Sequence, residues 1–309
     1  MTTIPRRTLG QTGFEASVLG YGAFDLRGGD SWGGRPVSDE EAERLLNTVL
    51  DTGINIIDTS IDYGLAEDFM GRFIAHRRDE YFLTNKMGCV PGREGEHNFT
   101  ATIVRQGVEQ SLRRLRTDHL DLVQFHLSLT RQQMEENGAL EEAMKLKEEG
   151  KVRFIGSSGW LPNIHQQLEM KFFDVFQIPY SALQREHEEI ISMAAATSAG
   201  TLIRGGVAKG APDGGWERAL NYMVGPDLMR QRWQEARLDE LLDGMSRIEF
   251  MLRFTLSHPD LDTVLIGTKN PQHLTENIEV VANKGPLPED LLSEAKRRLD
   301  AVGAGPVRD

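Results

Sequence analysis

Short apolar runs alternate with amphipathic stretches along almost the whole chain. The runs SVLGYG (17–22), INIID (54–58), YFLTNK (81–86), LDLVQFH (120–126), RFIGSS (153–158), VFQIP (175–179), TLIRG (201–205) and TVLIGT (263–268) read as strands. The stretches between them carry helix signals. Ser38 and Glu41 predict a capping box, after which Ala42, Leu45, Leu46 and Val49 share one face until Gly53 stops the helix. Leu140, Ala143, Met144 and Leu146 predict a second apolar stripe, ended by Gly150. Asn270 and Pro271 read as an N-cap and first helical residue, with Leu274, Ile278 and Val281 turned inward.

Regular strand–helix alternation predicts a parallel sheet, and eight such units in a chain of this length fit a closed (β/α)8 TIM barrel. In that architecture the active site lies at the carboxyl ends of the strands. A doubly wound sheet is the rival, but no G-x-G-x-x-G follows an early strand. No linker, repeat or low-complexity run divides the chain, so residues 1–309 are expected to form one domain. The irregular region is about 205 to 245, glycine-rich and then charged, and is expected to be a long functional or mobile loop.

Composition narrows the setting. With 39% hydrophobic and 27% charged residues the chain is globular and able to bury a sizeable core. No apolar run approaches the roughly 20 residues that span a bilayer, and no apolar segment follows the early arginines as a secretory signal requires. The lone Cys89 excludes an internal disulfide and a multi-cysteine metal site, and a reducing cytoplasm is the expected location. The net charge of -12 argues against nucleic acid as a partner.

The polar residues at the strand ends carry the candidate chemistry. Asp58 ends one strand and Tyr63 follows in its loop, Lys86 ends the next, and His126 ends the one after. Taken singly, each has an ordinary structural explanation. A strand-end Asp caps turns, a loop Tyr packs its ring, a Lys after a strand is solvated, and a lone His is usually hydrogen-bonded in place.

The run GINIIDTSIDYGLAEDFMGRFI, with Tyr63, Gly64, Glu67 and Gly71, resembles the signature of the aldo-keto reductases. The resemblance continues in register through FLTNK, SLRRLRTDHLDLVQFH, KLKEEGKVRFIGSSGW, FDVFQIPYSAL and LIGTKNPQHLTENIE, covering essentially the whole chain. It implies a catalytic tetrad of Asp58, Tyr63, Lys86 and His126. A carbonyl receiving a hydride becomes an alkoxide that needs a proton, and a phenol of pKa about 10 holds its proton too firmly. A neighbouring Lys86 ammonium would lower that pKa, Asp58 would hold Lys86, and His126 would orient the carbonyl oxygen.

The resemblance also implies NADPH, or NADH, held without a glycine fingerprint. Gly22 and Ala23 would line its pyrophosphate end, with Gly205 along the diphosphate. Ser158, Gln177 and Asp58 would lie at the nicotinamide. Gly267, Thr268, Lys269, His273, Glu276 and Asn277 would surround the adenosine. Independently of any family, a helix opening at Asn270 and Pro271 offers N–H groups and a partial positive charge to an anion, with Lys269 and His273 beside it. Three positions depart from the family pattern. Gly159 stands where an asparagine is usual, Arg204 aligns with an aromatic residue that stacks on the nicotinamide, and His273 aligns with an arginine for the 2′-phosphate.

The expected function is an NAD(P)H-dependent oxidoreductase reducing aldehydes, ketones or sugars, with Tyr63 as general acid and a small carbonyl compound as substrate. The alternative from another class is a cofactor-binding, redox-sensing or regulatory subunit with slow turnover. No metal is called for, and Cys89 reads as an ordinary small residue after Lys86. GGDSWGGRP, MGCVPGREGEHNF and the segment after Gly205 are the expected specificity loops, with Trp32 placed to pack against a substrate or within its own loop.

Overall fold

Each of the eight apolar runs contributes a strand to one closed parallel barrel. The computed structural model describes residues 3–31, 34–216 and 224–307. A two-stranded antiparallel hairpin comes first, β1 (Arg6–Thr8) and β2 (Glu15–Ser17). The barrel strands follow: β3 (Leu19–Gly22), β4 (Ile56–Asp58), β5 (Phe82–Met87), β6 (Leu120–Phe125), β7 (Val152–Ser157), β8 (Val175–Pro179), β9 (Gly200–Arg204) and β10 (Thr263–Ile266). They pair in sequence order, and β10 closes on β3. The run SVLGYG is therefore split, because Ser17 ends the hairpin and Leu19 begins the barrel.

The period of two along each strand sorts the side chains into two cores. Ile56, Phe82, Leu122, Val175, Leu202 and Leu265 form a buried cluster inside the barrel, joined by Leu9 and Ala16 and flanked by Phe14 and Phe154. Leu9, Phe14 and Ala16 come from the hairpin region, and the Phe14 and Phe82 rings lie 4.8 Å apart. Phe82 opens β5, so the hairpin plugs the amino end of the barrel. The alternate residues Ile57, Leu83, Val123, Phe176, Ile203 and Val264 face outward into the larger core beneath the helices.

Two residues beyond the apolar floor, the inward positions turn polar: Asp58, Thr84, Gln124, Gln177 and Arg204. Lys86 and His126 lie two positions further on. The strand period thus aims them at one carboxyl-end mouth.

The helices follow their end signals with local differences. The helix Asp39–Asp51 has the expected capping box and buries Ala42, Leu45, Leu46 and Val49. In Ala139–Glu148 the buried stripe is Ala139, Glu142, Ala143 and Leu146, while Met144 is 46% exposed. Met144 lies about 100° around the helix from Ala143, at the flank of that stripe. Glu142 is tolerated inside it because Arg105 Nε donates to its carboxylate.

The stretch expected as a long loop contains helices Ala211–Gly214 and Pro226–Glu235 among its described residues. Gly225 and Pro226 start the second one, which buries Met229 and Trp233. Its charged appearance is misleading: the buried Arg232 donates to Leu183 O at 2.7 Å and pairs with Glu186 at 2.7 Å. Among the described residues no helix is long and apolar enough to cross a membrane.

Candidate active site

Asp58 is the anchor of the barrel mouth. Its Oδ1 accepts hydrogen bonds from Lys86 Nζ and Thr84 Oγ1, from Gln177 Nε2 at 3.0 Å and from Gln124 Nε2 at 3.2 Å. Lys86 is 1% exposed and also lies 3.4 Å from Thr59 O. A buried ammonium is costly unless a charge and hydrogen bonds compensate it, and Asp58 provides the charge. Burial lowers the Lys86 pKa from its ordinary value, while Asp58 opposes that shift.

Tyr63 is presented by the turn after β4. Tyr63 N donates to Ser60 O at 3.0 Å and Asp62 N to Ser60 Oγ at 3.2 Å. Gly64 then takes φ of +42°, where a Cβ would lie 2.2 Å from Arg27 O, so glycine is required. Gly71 allows the following helix to approach the 101–115 helix, since a Cβ there would lie 1.9 Å from Arg114 O. These contacts explain two glycines of the signature. The Tyr63 ring meets Phe24 edge-on at 5.0 Å and His126 at 6.2 Å between centroids. Phe24 also carries the Arg27 guanidinium at 3.7 Å and the Lys209 ammonium at 3.6 Å. Burial lowers the Lys209 pKa to about 7, aided by Arg27 and Arg35 and opposed by Asp25.

His126 follows β6 directly. Burial, then the charge of Lys86, holds its imidazole well below the ordinary pKa. Its Nδ1 lies 3.0 Å from Cys89 Sγ and 3.1 Å from His97 Nε2. His97 Nε2 is in turn 3.4 Å from Asp62 Oδ2. A hairpin-like return after β5 brings these groups together: Cys89 bridges His97 antiparallel, Val90 N donates to Glu96 O at 2.9 Å, and Asn98 N to Gly88 O at 2.7 Å. Gly95 N fixes the other Asp62 oxygen, Oδ1, at 3.1 Å.

On the opposite wall Ser158 Oγ donates to Gln177 Oε1 at 3.1 Å, continuing the chain to Asp58. The Arg204 guanidinium carbon lies 5.7 Å from the Trp160 ring centroid. Its charge contributes to lowering the pKa values of Lys86 and His126, so its field reaches the mouth.

Beyond the mouth, Gly22 and Gly267 line a close approach of backbones, where a Cβ on Gly267 would be 3.3 Å from Gly22 O. Ala23 is buried at the start of the turn after β3, and Gly205 is exposed after β9 with φ of +77°. Tyr21 Oη donates to Thr268 O at 3.0 Å, tying the β10 end to the barrel. Asn270 Oδ1 caps the helix Pro271–Glu279 by accepting from Gln272 N at 3.0 Å. Lys269 Nζ donates to Pro36 O at 3.0 Å. His273 and Glu276 are exposed, and Asn277 is half-buried.

Asp58, Lys86, Gln177 and Ser158 therefore form one bonded group, with Tyr63 and His126 beside it. The residues from Gly267 to Asn277 form a second patch at the β10 end. Trp32 lies outside the described residues. Sequence reasoning missed Thr84 and Gln124, although the period-two spacing from Phe82 and Leu122 marks both as inward. It also missed the association of Asp62, Cys89 and His97, which depends on the fold of the 88–98 return.

The Aldo/keto reductase family model matches residues 18–297. The chain is 31% identical over 300 residues to the aldo-keto reductase YhdN of Bacillus subtilis, covering 88% of this chain and 87% of that protein. It is 28% identical to the L-galactose dehydrogenase of Arabidopsis thaliana, over 98% of this chain and 96% of that one. Among solved structures, the holo form of aldo-keto reductase AKR11C1 from Bacillus halodurans superposes with a TM-score of 0.80 at 27% identity, covering 96% of each chain.

Proposed function

The chain belongs to the aldo/keto reductase family, and from that premise we propose that it reduces small aldehydes, ketones or sugars with NADPH, using Tyr63 as general acid. The observation that carries this reading is the buried Lys86–Asp58 pair at the barrel mouth, with Tyr63 and His126 next to it. The donor set suits a nicotinamide dinucleotide. Ser158 and Gln177 present a hydroxyl and an amide at the inner wall, matching a carboxamide. The glycine-lined approach of Gly22 and Gly267 suits a backbone-hugging diphosphate, and the helix start at Pro271 with Lys269 beside it suits a phosphate.

When bound, the reduced nicotinamide supplies the hydride. Tyr63 delivers its phenolic proton to the carbonyl oxygen as negative charge develops there. The Lys86 ammonium stabilises the resulting phenolate, and Asp58 keeps that ammonium in place. His126, kept neutral by its surroundings, donates a hydrogen bond to the same oxygen.

The test is multiple-turnover oxidation of NADPH with a panel of aldehydes, ketones and aldoses, alongside Tyr63→Phe. General acid catalysis contributes about 10² to 10⁴-fold, so the variant should lose turnover by that factor while its cofactor Kd stays nearly constant. Undiminished kcat in Tyr63→Phe would remove the phenol from the reaction. Cofactor binding with no turnover on any carbonyl would point to a sensing role.

A further inference from the structure

Asp62, Cys89 and His97, gathered at Nδ1 of His126, are donors that the proposed hydride transfer does not use. One ligand atom each from Asp62, Cys89, His97 and His126 lies within 4.8 Å of the other three. Three of the separations are 3.0, 3.1 and 3.4 Å. A tetrahedral zinc ion, with bonds of about 2.0 to 2.3 Å, spaces its ligand atoms roughly 3.3 to 3.6 Å apart. We propose that Asp62, Cys89, His97 and His126 form a tetrahedral site for a divalent transition metal of the zinc type at the rim of the barrel mouth.

The donor types favour that class of ion. Two imidazoles, a thiolate and one carboxylate suit zinc, whereas magnesium and calcium take all-oxygen sets. A thiolate and a carboxylate together neutralise a divalent charge. Coordination displaces the Cys89 thiol proton to solvent, and no redox step is involved.

The ligands are also oriented from behind, as metal ligands are. Asp62 uses Oδ1 to accept from Gly95 N, leaving Oδ2 toward His97. Ser60 Oγ lies 3.6 Å from Cys89 Sγ. The antiparallel bridge between Cys89 and His97 fixes two ligands relative to one another, and β6 fixes His126. Cys89 is fully buried and the side chains of Asp62 and His97 are 10% and 16% exposed, so the pocket is shielded at Cys89 and partly open at the other two.

Coordination through Nδ1 leaves the His126 proton on Nε2, the tautomer that donates a hydrogen bond. That consequence rests on the role given to His126 above; metal binding itself does not.

The experiment is titration of the reduced, tag-free protein with Zn²⁺ by calorimetry and with Co²⁺ by absorption, without cofactor or substrate. The expected result is one ion per chain, with intense visible bands of tetrahedral cobalt and a thiolate-to-cobalt charge-transfer band. Cys89→Ser should abolish the charge-transfer band, and His97→Ala should weaken Zn²⁺ binding at least about tenfold. Absence of the charge-transfer band in the wild type, or a Zn²⁺ affinity unchanged in His97→Ala, overturns the proposal. Should buried Cys89→Ser fail to fold, the wild-type cobalt spectrum and His97→Ala decide it alone. Failure of these titrations leaves turnover untouched, and loss of turnover in Tyr63→Phe leaves the titrations untouched.

Discussion

Gln177 donates from Nε2 to Asp58 Oδ1 at 3.0 Å, although 119 residues separate the two along the chain. The oxygen that neutralises Lys86 is thereby also held from the far wall of the barrel. Strands β5, β6 and β8 all send donors to this one β4 atom. This carboxylate joins the wall residues of the mouth and sets the position of the ammonium.

Asp58→Asn is accordingly expected to damage both stability and activity. Asparagine keeps an oxygen acceptor but leaves the Lys86 charge buried without compensation. Breaking one side of a buried ion pair costs about 3–5 kcal/mol. Urea unfolding measures the loss. The double variant Asp58→Asn/Lys86→Met should recover part of it, because no uncompensated charge remains. A double variant less stable than Asp58→Asn would show that packing, not charge, dominates.

Lys209 should impose a pH dependence on folding. Its folded pKa of about 7 lies below the ordinary 10.5, through burial and then the nearby arginines. Between those values the unfolded chain holds a proton that the folded chain has released, so stability rises with pH across the window. Below about pH 7 the lysine is charged in both states and its desolvation cost is fully present. Lys209→Met should therefore be more stable than the wild type below pH 7, with the difference shrinking toward pH 10.5. Urea midpoints across that range provide the check, and parallel pH profiles for the two proteins would refute it.

Most of the barrel is legible because buried parallel strands read as apolar runs and helices announce their ends chemically. Val175–Pro179 coincides with the sequence reading to the residue. The hairpin β1–β2 escaped because three-residue strands rich in charge, such as Arg6–Thr8, give no alternation to detect. The four candidate catalytic positions, Asp58, Tyr63, Lys86 and His126, are each at a strand end or in its loop, where the barrel geometry draws attention to them. Thr84 and Gln124 look unremarkable in sequence, and their importance arises only when three other strands converge on Asp58. The meeting of Cys89 with His97 and His126 is less legible still. It depends on the 88–98 return and on packing against a different strand.

Lys269 should carry a preference for NADPH over NADH. Its ammonium donates to Pro36 O at 3.0 Å, immediately before the capped helix Pro271–Glu279. It is able to exchange that carbonyl for a 2′-phosphate, with the helix dipole adding to the attraction. Charge-assisted hydrogen bonds contribute about 1.5–3 kcal/mol, so Lys269→Ala should weaken NADPH binding roughly 10- to 150-fold and leave NADH nearly unaffected. Dissociation constants for both cofactors, measured by fluorescence quenching, test this. Equal losses for the two would move the 2′-phosphate elsewhere.

Arg204 should tune the balance between the two redox forms of the cofactor. It ends β9 two residues after Leu202, on the strand face that lines the barrel interior, and its charge is felt at both Lys86 and His126. Its guanidinium lies over Trp160, 5.7 Å from the ring centroid, rather than turning out to solvent. The oxidised nicotinamide ring is positively charged and the reduced ring is neutral, so a cation at the mouth disfavours the oxidised form selectively. At an effective dielectric of about 20, two unit charges roughly 4 Å apart repel by about 4 kcal/mol, a ceiling that solvent and the cofactor's phosphates reduce. Replacing the cation by an aromatic plane, Arg204→Trp, should tighten the oxidised form relative to the reduced one by about tenfold or more. The reduced form serves as the internal control, since a general disruption of the pocket weakens both. The measurement is a pair of fluorescence titrations, NADP⁺ and NADPH, on each protein. A ratio of dissociation constants unchanged by the substitution would show that the guanidinium field does not reach the ring.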